Sequence, residues 1–279
     1  MILITDSGST KAHWCLVNDG NDIYVNTQGI SPYFQTSFDI CEILKLELLV
    51  KLPEQARITR IYYYGTGCNS KANIEVVDIA LKAIFPEAVI SITHDLMAAS
   101  RALCGNDKGI VSIMGTGSNS CFYDGKDITW NKPGLGYVLG DEGSGAYLGK
   151  ILLQHYLYNE FPEELKNSFE QDNDNNYARI LEGVYKSSLP NRYLASFSYF
   201  LAKNRGHEFI EKILKNGLND FFVRHILDCV RQCEAPLYFT GGIAWNYRDI
   251  VAGLCEEHDL TFGRITRYPM VDLVKFHRT

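Results

Sequence analysis

Two short segments of small residues carry the chemistry that is easiest to read in this chain: Asp6-Ser7-Gly8-Ser9-Thr10-Lys11 and Gly115-Thr116-Gly117-Ser118-Asn119-Ser120. Each follows a run of apolar, β-prone residues and leads into another, so each reads as a turn between two strands. Glycine lets backbone N–H groups approach phosphate oxygens, and Ser or Thr hydroxyls add donors without bulk. Two such turns facing one another could hold a triphosphate, with Asp6 serving magnesium through water, since that ion keeps much of its hydration shell. A pair of ordinary hairpins is the alternative.

Three further places bear groups of interest. Thr93-His94-Asp95-Leu96 sets a carboxylate at the carboxyl end of a strand and the start of a helix, a common active-site edge in α/β sheets; Asp95 could equally be an N-cap. Gly140-Asp141-Glu142-Gly143-Ser144-Gly145 places two acids in a glycine-rich bend ahead of a helix, suited to a ligand with hydroxyls or to a cap made by Asp141 or Ser144. Thr240-Gly241-Gly242-Ile243-Ala244 follows a late strand and fits either backbone packed on a flat ring such as adenine or a tight strand-to-helix turn. The commoner nucleotide signatures fail. Gly143 and Gly149-Lys150 lie one position too far apart for GxxxxGK[ST], Ile151 stands where Ser or Thr would be needed, and the turn at 115 lacks the third glycine of GxGxxG.

Composition narrows the rest. A 279-residue chain with 46% hydrophobic residues can bury a large core or two ordinary ones. A net charge of -6 gives no general attraction to nucleic acid or to an anionic membrane, and neither is expected as a partner. Apolar stretches are interrupted, as by Lys45 and Glu47 between Ile43 and Val50, so none approaches a membrane span. Asp6 follows the apolar start and no basic residue precedes it, unlike a secretory signal. The eight cysteines (15, 41, 68, 104, 121, 229, 233, 255) include no CxxC pair and read as reduced thiols, which points to the cytoplasm.

These groups need elements to hold them. Strands are predicted over 2–5, 12–17 and 23–27, with Asp19-Gly20 turning the chain between the last two, then a helix over 38–52, a strand over 58–64, a helix over 72–85, a strand over 88–93 and a helix over 96–104. From Gly109 the order restarts: strands over 110–114 and 120–123 and near Ile128, a mostly helical stretch from 144 to about 233 with a polar break at 171–176, strands over 237–240 and 260–265, and a final helix. The reading is α/β, with a boundary near residue 109.

Taken together, DSGSTK at 6–11, HDLMAA at 94–99, GTGSNS at 115–120, GDEGSG at 140–145 and TGGIAWN at 240–246 resemble the actin, Hsp70 and sugar kinase superfamily. The resemblance is narrower to the N-acetylglucosamine kinase and BadF/BadG/BcrA/BcrD-type ATPase family, and it covers nearly the whole chain. It implies two RNase H-like domains around a cleft, each a mixed five-stranded sheet with flanking helices: residues 1–108, with the C-terminal helix of about 268–279 packing back on them, and residues 109–267 with a helical insertion. It implies ATP held by Asp6, Ser7, Gly8, Ser9, Thr10, Lys11, Gly115, Thr116, Gly117, Gly241, Gly242 and Ile243, with Mg2+ at Asp6. Asp95 would be the general base toward a sugar 6-hydroxyl. Ser118, Asn119, Gly136, Asp141 and Glu142, with Ser31 and Tyr33, would contact the sugar.

The expected activity is an ATP-dependent phosphotransferase acting on an N-acetylated amino sugar, N-acetylglucosamine first, with N-acetylmuramic acid or glucosamine as related acceptors. A homodimer is compatible with this. An activase-type ATPase driving a partner protein is the alternative. The chain departs from the family in the loop after the third strand, 29–34, which contains no asparagine where family kinases commonly offer one to the sugar. Leu135 also stands where the animal enzyme has a tryptophan.

Overall fold

The computed structural model describes residues 1–18, 20–172 and 176–278, residue 172 by its backbone alone. Asp19 of the expected turn and residues 173–175 of the expected polar break lie outside the described residues. The chain divides into two compact units, Met1–Asp107 with Tyr268–Thr279, and Lys108–Arg267.

In the first unit, β1 (Ile2–Ser7), β2 (Lys11–Val17) and β3 (Ile23–Gln28) form an antiparallel meander, and β4 (Arg60–Gly65) and β5 (Val89–His94) add in parallel to give the order β3-β2-β1-β4-β5. Strand β1 is central and buries Leu3, Ile4 and Thr5 in succession, as a strand covered on both faces must. The three parallel strands therefore end on one edge. Asp6 pairs with Tyr64, Ser7 with Gly65, and Gly65 with His94. Helices α1 (Ser37–Ile43) and α2 (Lys71–Ile84) pack on the sheet through Ile40, Ile43, Val77 and Leu81, while α3 (Asp95–Cys104) meets the C-terminal helix Met270–Arg278. A shared hydrogen-bond junction joins the last two to the sheet: Tyr64 Oη lies 2.7 Å from His277 Nε2 and accepts from Arg101 at 2.6 Å.

The helix predicted over 38–52 is present over Ser37–Lys51 but changes type along its length, α over Ser37–Ile43, π over Leu44–Leu48 and 3-10 over Leu49–Lys51. The π turn buries Leu44 and Leu48 and leaves Leu46 in solvent, and Val50 of the 3-10 turn is exposed as well. Apolar residues on more than one side of this stretch exceed what a single stripe facing the core can cover.

The second unit repeats the first in topology. Strands β6 (Gly109–Met114), β7 (Ser118–Tyr123) and β8 (Ile128–Asn131) form its meander, and β9 (Leu237–Thr240) and β10 (Phe262–Thr266) add in parallel on the other side of β6. Between β8 and β9 lie α4 (Gly136–Leu139), α5 (Gly145–Leu157), α6 (Glu163–Asp172), α7 (Tyr177–Lys186), α8 (Pro190–Ser196), α9 (Ser198–Lys203), α10 (Glu208–Phe221) and α11 (Leu227–Val230). Their core is rich in aromatic side chains, Phe169, Phe197, Phe200, Phe221 and Phe222 among them, continuous with Ile110, Met114 and Phe239 of the sheet. After β9 come α12 (Gly242–Asn246) and α13 (Arg248–Glu257), and α14 (Met270–Arg278) closes the chain in the first unit. All eight cysteines are free thiols. Among the described residues no helix is long and apolar enough to cross a membrane.

Candidate active site

On the carboxyl edge of the first sheet stand the two acids singled out from the sequence. Asp6 lies on β1 just before the turn, and Asp95 is the first residue of α3. The capping position belongs to His94, whose side chain makes no cap bond; Asp95 instead accepts the Leu96 N–H at 2.9 Å through Oδ1 and a hydrogen bond from the Thr66 hydroxyl. Thr66 follows β4, its own N–H donating to Ser7 O at 2.8 Å, so it stands between the ends of β1 and β5. Burial raises the Asp95 carboxyl above the ordinary carboxylate range, against the opposing pull of His94 and these hydrogen bonds. Asp6 is pushed up to about 7, first by burial and then by the charge of Asp95.

The turn beside Asp6 is closed by Gly8 N–H to Lys11 O at 3.0 Å. Ser7 is buried, donating to Ile30 O at 3.4 Å and accepting the Ile30 N–H at 3.3 Å; it ties the 29–34 loop to the turn. Gly29 is required for that approach, since a Cβ there would stand 2.3 Å from Gly8 O. Ser31 is buried, its N–H donating to Gln35 Oε1 at 2.6 Å. Tyr33 is exposed, lies against Gly67 and donates to Asn69 Oδ1 at 3.1 Å. Lys11 and Thr10 are exposed, and Ser9 is partly so.

The second unit folds two sequence-distant motifs onto each other. The first N–H groups of α5 go to the other turn, Gly145 to Gly115 O at 2.8 Å and Ala146 to Thr116 O at 3.0 Å, which satisfies donors a helix start leaves open. Ser144 is the N-cap, accepting from Tyr147 N, so neither acid of the bend is spent on capping. Ser118 Oγ donates to Glu142 O at 2.7 Å, and the Ser118 N–H donates to the Asp141 carboxylate, which burial raises to about 6. Asp141 holds a positive φ of 55°, a strained setting for a residue other than glycine. Asn119 Oδ1 accepts from Ser120 N at 2.9 Å and Asn131 Nδ2 at 3.2 Å, and Gly134 lies near its Nδ2. Gly136 is exposed at the start of α4. Gly241, Gly242 and Ile243 lead from β9 into α12.

The glycines test whether a nucleotide fits these turns. At Gly8 an added Cβ would meet nothing closer than 3.5 Å, at Gly115 nothing closer than 4.0 Å, and at Gly242 nothing within 4 Å, and none of the three has a positive φ. Neither packing nor backbone conformation within the chain demands glycine there, and the open space suits phosphate oxygens approaching the backbone. A magnesium nucleotide fits the acids as well. Among the described residues no group of three or more His, Cys, Asp or Glu could hold a metal ion.

No family model and no curated protein matches the chain. Among solved structures, a "putative N-acetylglucosamine kinase" of Porphyromonas gingivalis is 39% identical over 99% of this chain and 98% of its own, with a TM-score of 0.93. The chain belongs to the N-acetylglucosamine kinase family. A second "putative N-acetylglucosamine kinase", from Chromobacterium violaceum, is 17% identical with a TM-score of 0.74 over 99% of this chain and 98% of that one. A ROK family glucokinase from Streptomyces griseus, solved with glucose and AMPPNP, is 12% identical with a TM-score of 0.58 over 99% and 97%. These two share the fold with this member of the N-acetylglucosamine kinase family.

Thr66 escapes a reading of the sequence by motif. Its flanking glycines, Gly65 and Gly67, were the available signal: a third small-residue turn at the end of a strand.

Proposed function

We propose that this chain is an ATP-dependent kinase transferring the γ-phosphoryl group to the 6-hydroxyl of an N-acetylated amino sugar, with N-acetylglucosamine as acceptor. The observation that carries the reading is the state of Asp95, a carboxylate at the carboxyl edge of three parallel strands, steadied by Thr66 and the Leu96 N–H and raised by burial. Such a group holds a proton more readily than a solvated carboxylate, as a general base toward a hydroxyl must. The full-length kinship at 39% identity supports the acceptor class.

Asp95 would orient the 6-hydroxyl and take its proton as the oxygen attacks phosphorus in line. The backbone at Gly8, Ser9 and Thr10 and at Gly115, Thr116 and Gly117 would bind phosphate oxygens, with Lys11 nearby, and Gly241, Gly242 and Ile243 would take the adenosine. Magnesium nucleotide, when bound, supplies the phosphoryl group and the cation that offsets its charge, with Asp6 as the carboxylate facing that cation. Asn119, Asp141 and Glu142, with Gly136, Ser31 and Tyr33, would recognise the sugar, and Ser118 would hold the Asp141-Glu142 bend in place. Such a kinase works in the cytoplasm on free sugar, and light scattering would reveal whether it acts as a homodimer.

The test is a coupled assay of ADP release against N-acetylglucosamine, N-acetylmuramic acid, N-acetylmannosamine, glucosamine and glucose, with phosphorus NMR of the product. Sugar-dependent turnover that is fastest with N-acetylglucosamine and yields the 6-phosphate is expected. ATP consumption indifferent to every sugar would sink the proposal.

A further inference from the structure

Glu142 is gripped by a histidine far away in sequence. His225 lies on a π turn, Phe222–Ile226, that continues α10; such turns concentrate at functional sites. Its Nε2 is 3.2 Å from Glu142 Oε2. The ring stacks on Phe221 with centroids 4.9 Å apart and planes 21° from parallel, and only 4% of the residue is exposed. Nδ1 is buried with no hydrogen-bond partner among the described residues.

This fixes the ring's protonation pattern. A carboxylate oxygen accepts, so Nε2 carries the hydrogen and Nδ1 is the bare nitrogen. Burial lowers the imidazole pKa below its ordinary value despite the pull of Glu142 and Asp228, and Lys132 pushes the same way as burial. A neutral ring on Phe221 avoids the cost of a buried charge. The surroundings are equally constrained. A Cβ on Gly143 would stand 2.7 Å from Phe221 Cβ, and Ser118 holds the Glu142 carbonyl. Glu142 is thus fixed through its backbone by one contact and through one carboxylate oxygen by another, while its side chain keeps 19% of its surface exposed.

We propose that His225 is a positioning residue for the acceptor: by holding Oε2 of Glu142 it presents the other carboxylate oxygen to a sugar hydroxyl. The inference rests on the reading of Glu142 as a sugar ligand. Nothing in the sequence around 225 signals the role, because the partners are 83 residues apart.

Two amide substitutions separate positioning from packing. In His225→Gln the amide nitrogen can take the place of Nε2, whereas in His225→Asn it falls near Nδ1 and cannot reach Glu142. N-acetylglucosamine would be titrated calorimetrically into the wild type and both variants without nucleotide, alongside an ATP analogue and a thermal melt. Expected is a sugar Kd within about threefold of wild type for the Gln variant and weakened about tenfold or more for the Asn variant, the worth of a hydrogen bond to a charged group. ATP-analogue affinity should be equal in the two. Equal sugar affinity in the Gln and Asn variants, or equal loss of sugar and nucleotide binding in the Asn variant, overturns the proposal. Should neither variant fold, nitrogen-15 spectra of the unmodified chain decide: a neutral Nε2–H tautomer whose signals move with sugar supports it, and an Nδ1–H tautomer or indifference to saturating sugar overturns it. A wild type that neither binds nor phosphorylates any amino sugar removes the functional reading itself, which is a different result from a working kinase in which Asn and Gln behave alike.

Discussion

The Asp141 carboxylate lies where a side chain on Gly117 would begin: a Cβ at 117 would stand 2.9 Å from Asp141 Oδ2. The backbone at 117 has no positive φ, and the three atoms nearest an added Cβ all belong to that carboxylate, a movable group held by the Ser118 N–H. Gly117→Ala should therefore fold with a melting temperature within a few degrees of wild type while pushing Asp141 aside. N-acetylglucosamine affinity is expected to fall about tenfold, the scale of one hydrogen bond to a charged group. Calorimetry paired with a thermal melt checks this, and unchanged sugar affinity would remove Asp141 from the acceptor site.

Asp95→Asn keeps the shape of the side chain and removes its basicity. A general base is worth about 100-fold or more in rate, so kcat should drop by at least that much while ATP affinity stays near wild type. The raised Asp95 pKa adds a sign: the base must be ionised, so kcat/KM rises with pH along a limb lying above the ordinary carboxylate range. Thr66→Val removes a hydrogen bond that favours the ionised form, moving that limb to higher pH, whereas Thr66→Ser restores it. A limb unmoved by Val would show that Thr66 does not act through Asp95.

Asp6 links site chemistry to stability. Its carboxyl is raised from 3.8 to about 7, by burial first and Asp95 second. Between those values the folded chain binds more protons than the unfolded chain, so this group's contribution to stability is present at low pH and lost as pH rises toward 7. Asp6→Asn removes the ionisation. In buffer without divalent cations its melting temperature should exceed that of wild type above pH 7, with the gap shrinking as pH approaches 4. A gap that ignores pH, or one of opposite sign, would contradict the assignment.

Local order made much of this legible. Strand-turn-strand units announce themselves within a dozen residues, so both glycine-hydroxyl turns and the restart after residue 108 could be read. The restart recurs as matching sheet orders, β3-β2-β1-β4-β5 and β8-β7-β6-β9-β10. Asp95 was legible as the carboxylate where β5 gives way to α3, and Ser144 as one of two cap candidates, because caps depend on neighbours only. What stayed hidden depends on sheet order or on distant chain. Thr66 reaches Asp95 only because β4 lies beside β5. The helix expected over 38–52 runs to Lys51, but its change from α to π at Leu44, where its apolar residues outgrow one face, was not legible.

Gly241 and Gly242 are neighbours with opposite demands, which separates a structural glycine from one that leaves room for a ligand. Gly241 has a φ of 110°, and a Cβ there would stand 2.4 Å from Met114 O, because parallel pairing of β6 with β9 brings the chain past the end of β6. Gly241→Ala meets both backbone strain and a clash with main chain, expected to cost about 2 kcal/mol or more and to lower the melting temperature by roughly 5 °C or more. At Gly242 a Cβ would meet nothing within 4 Å, so Gly242→Ala should melt like wild type. If adenosine approaches that backbone, the methyl group occupies its space, and the KM for ATP should rise about tenfold while the KM for sugar holds. Thermal melts and the two KM values distinguish the roles: normal stability in Gly241→Ala would contradict the packing argument, and an unchanged ATP KM in Gly242→Ala would move the adenosine elsewhere.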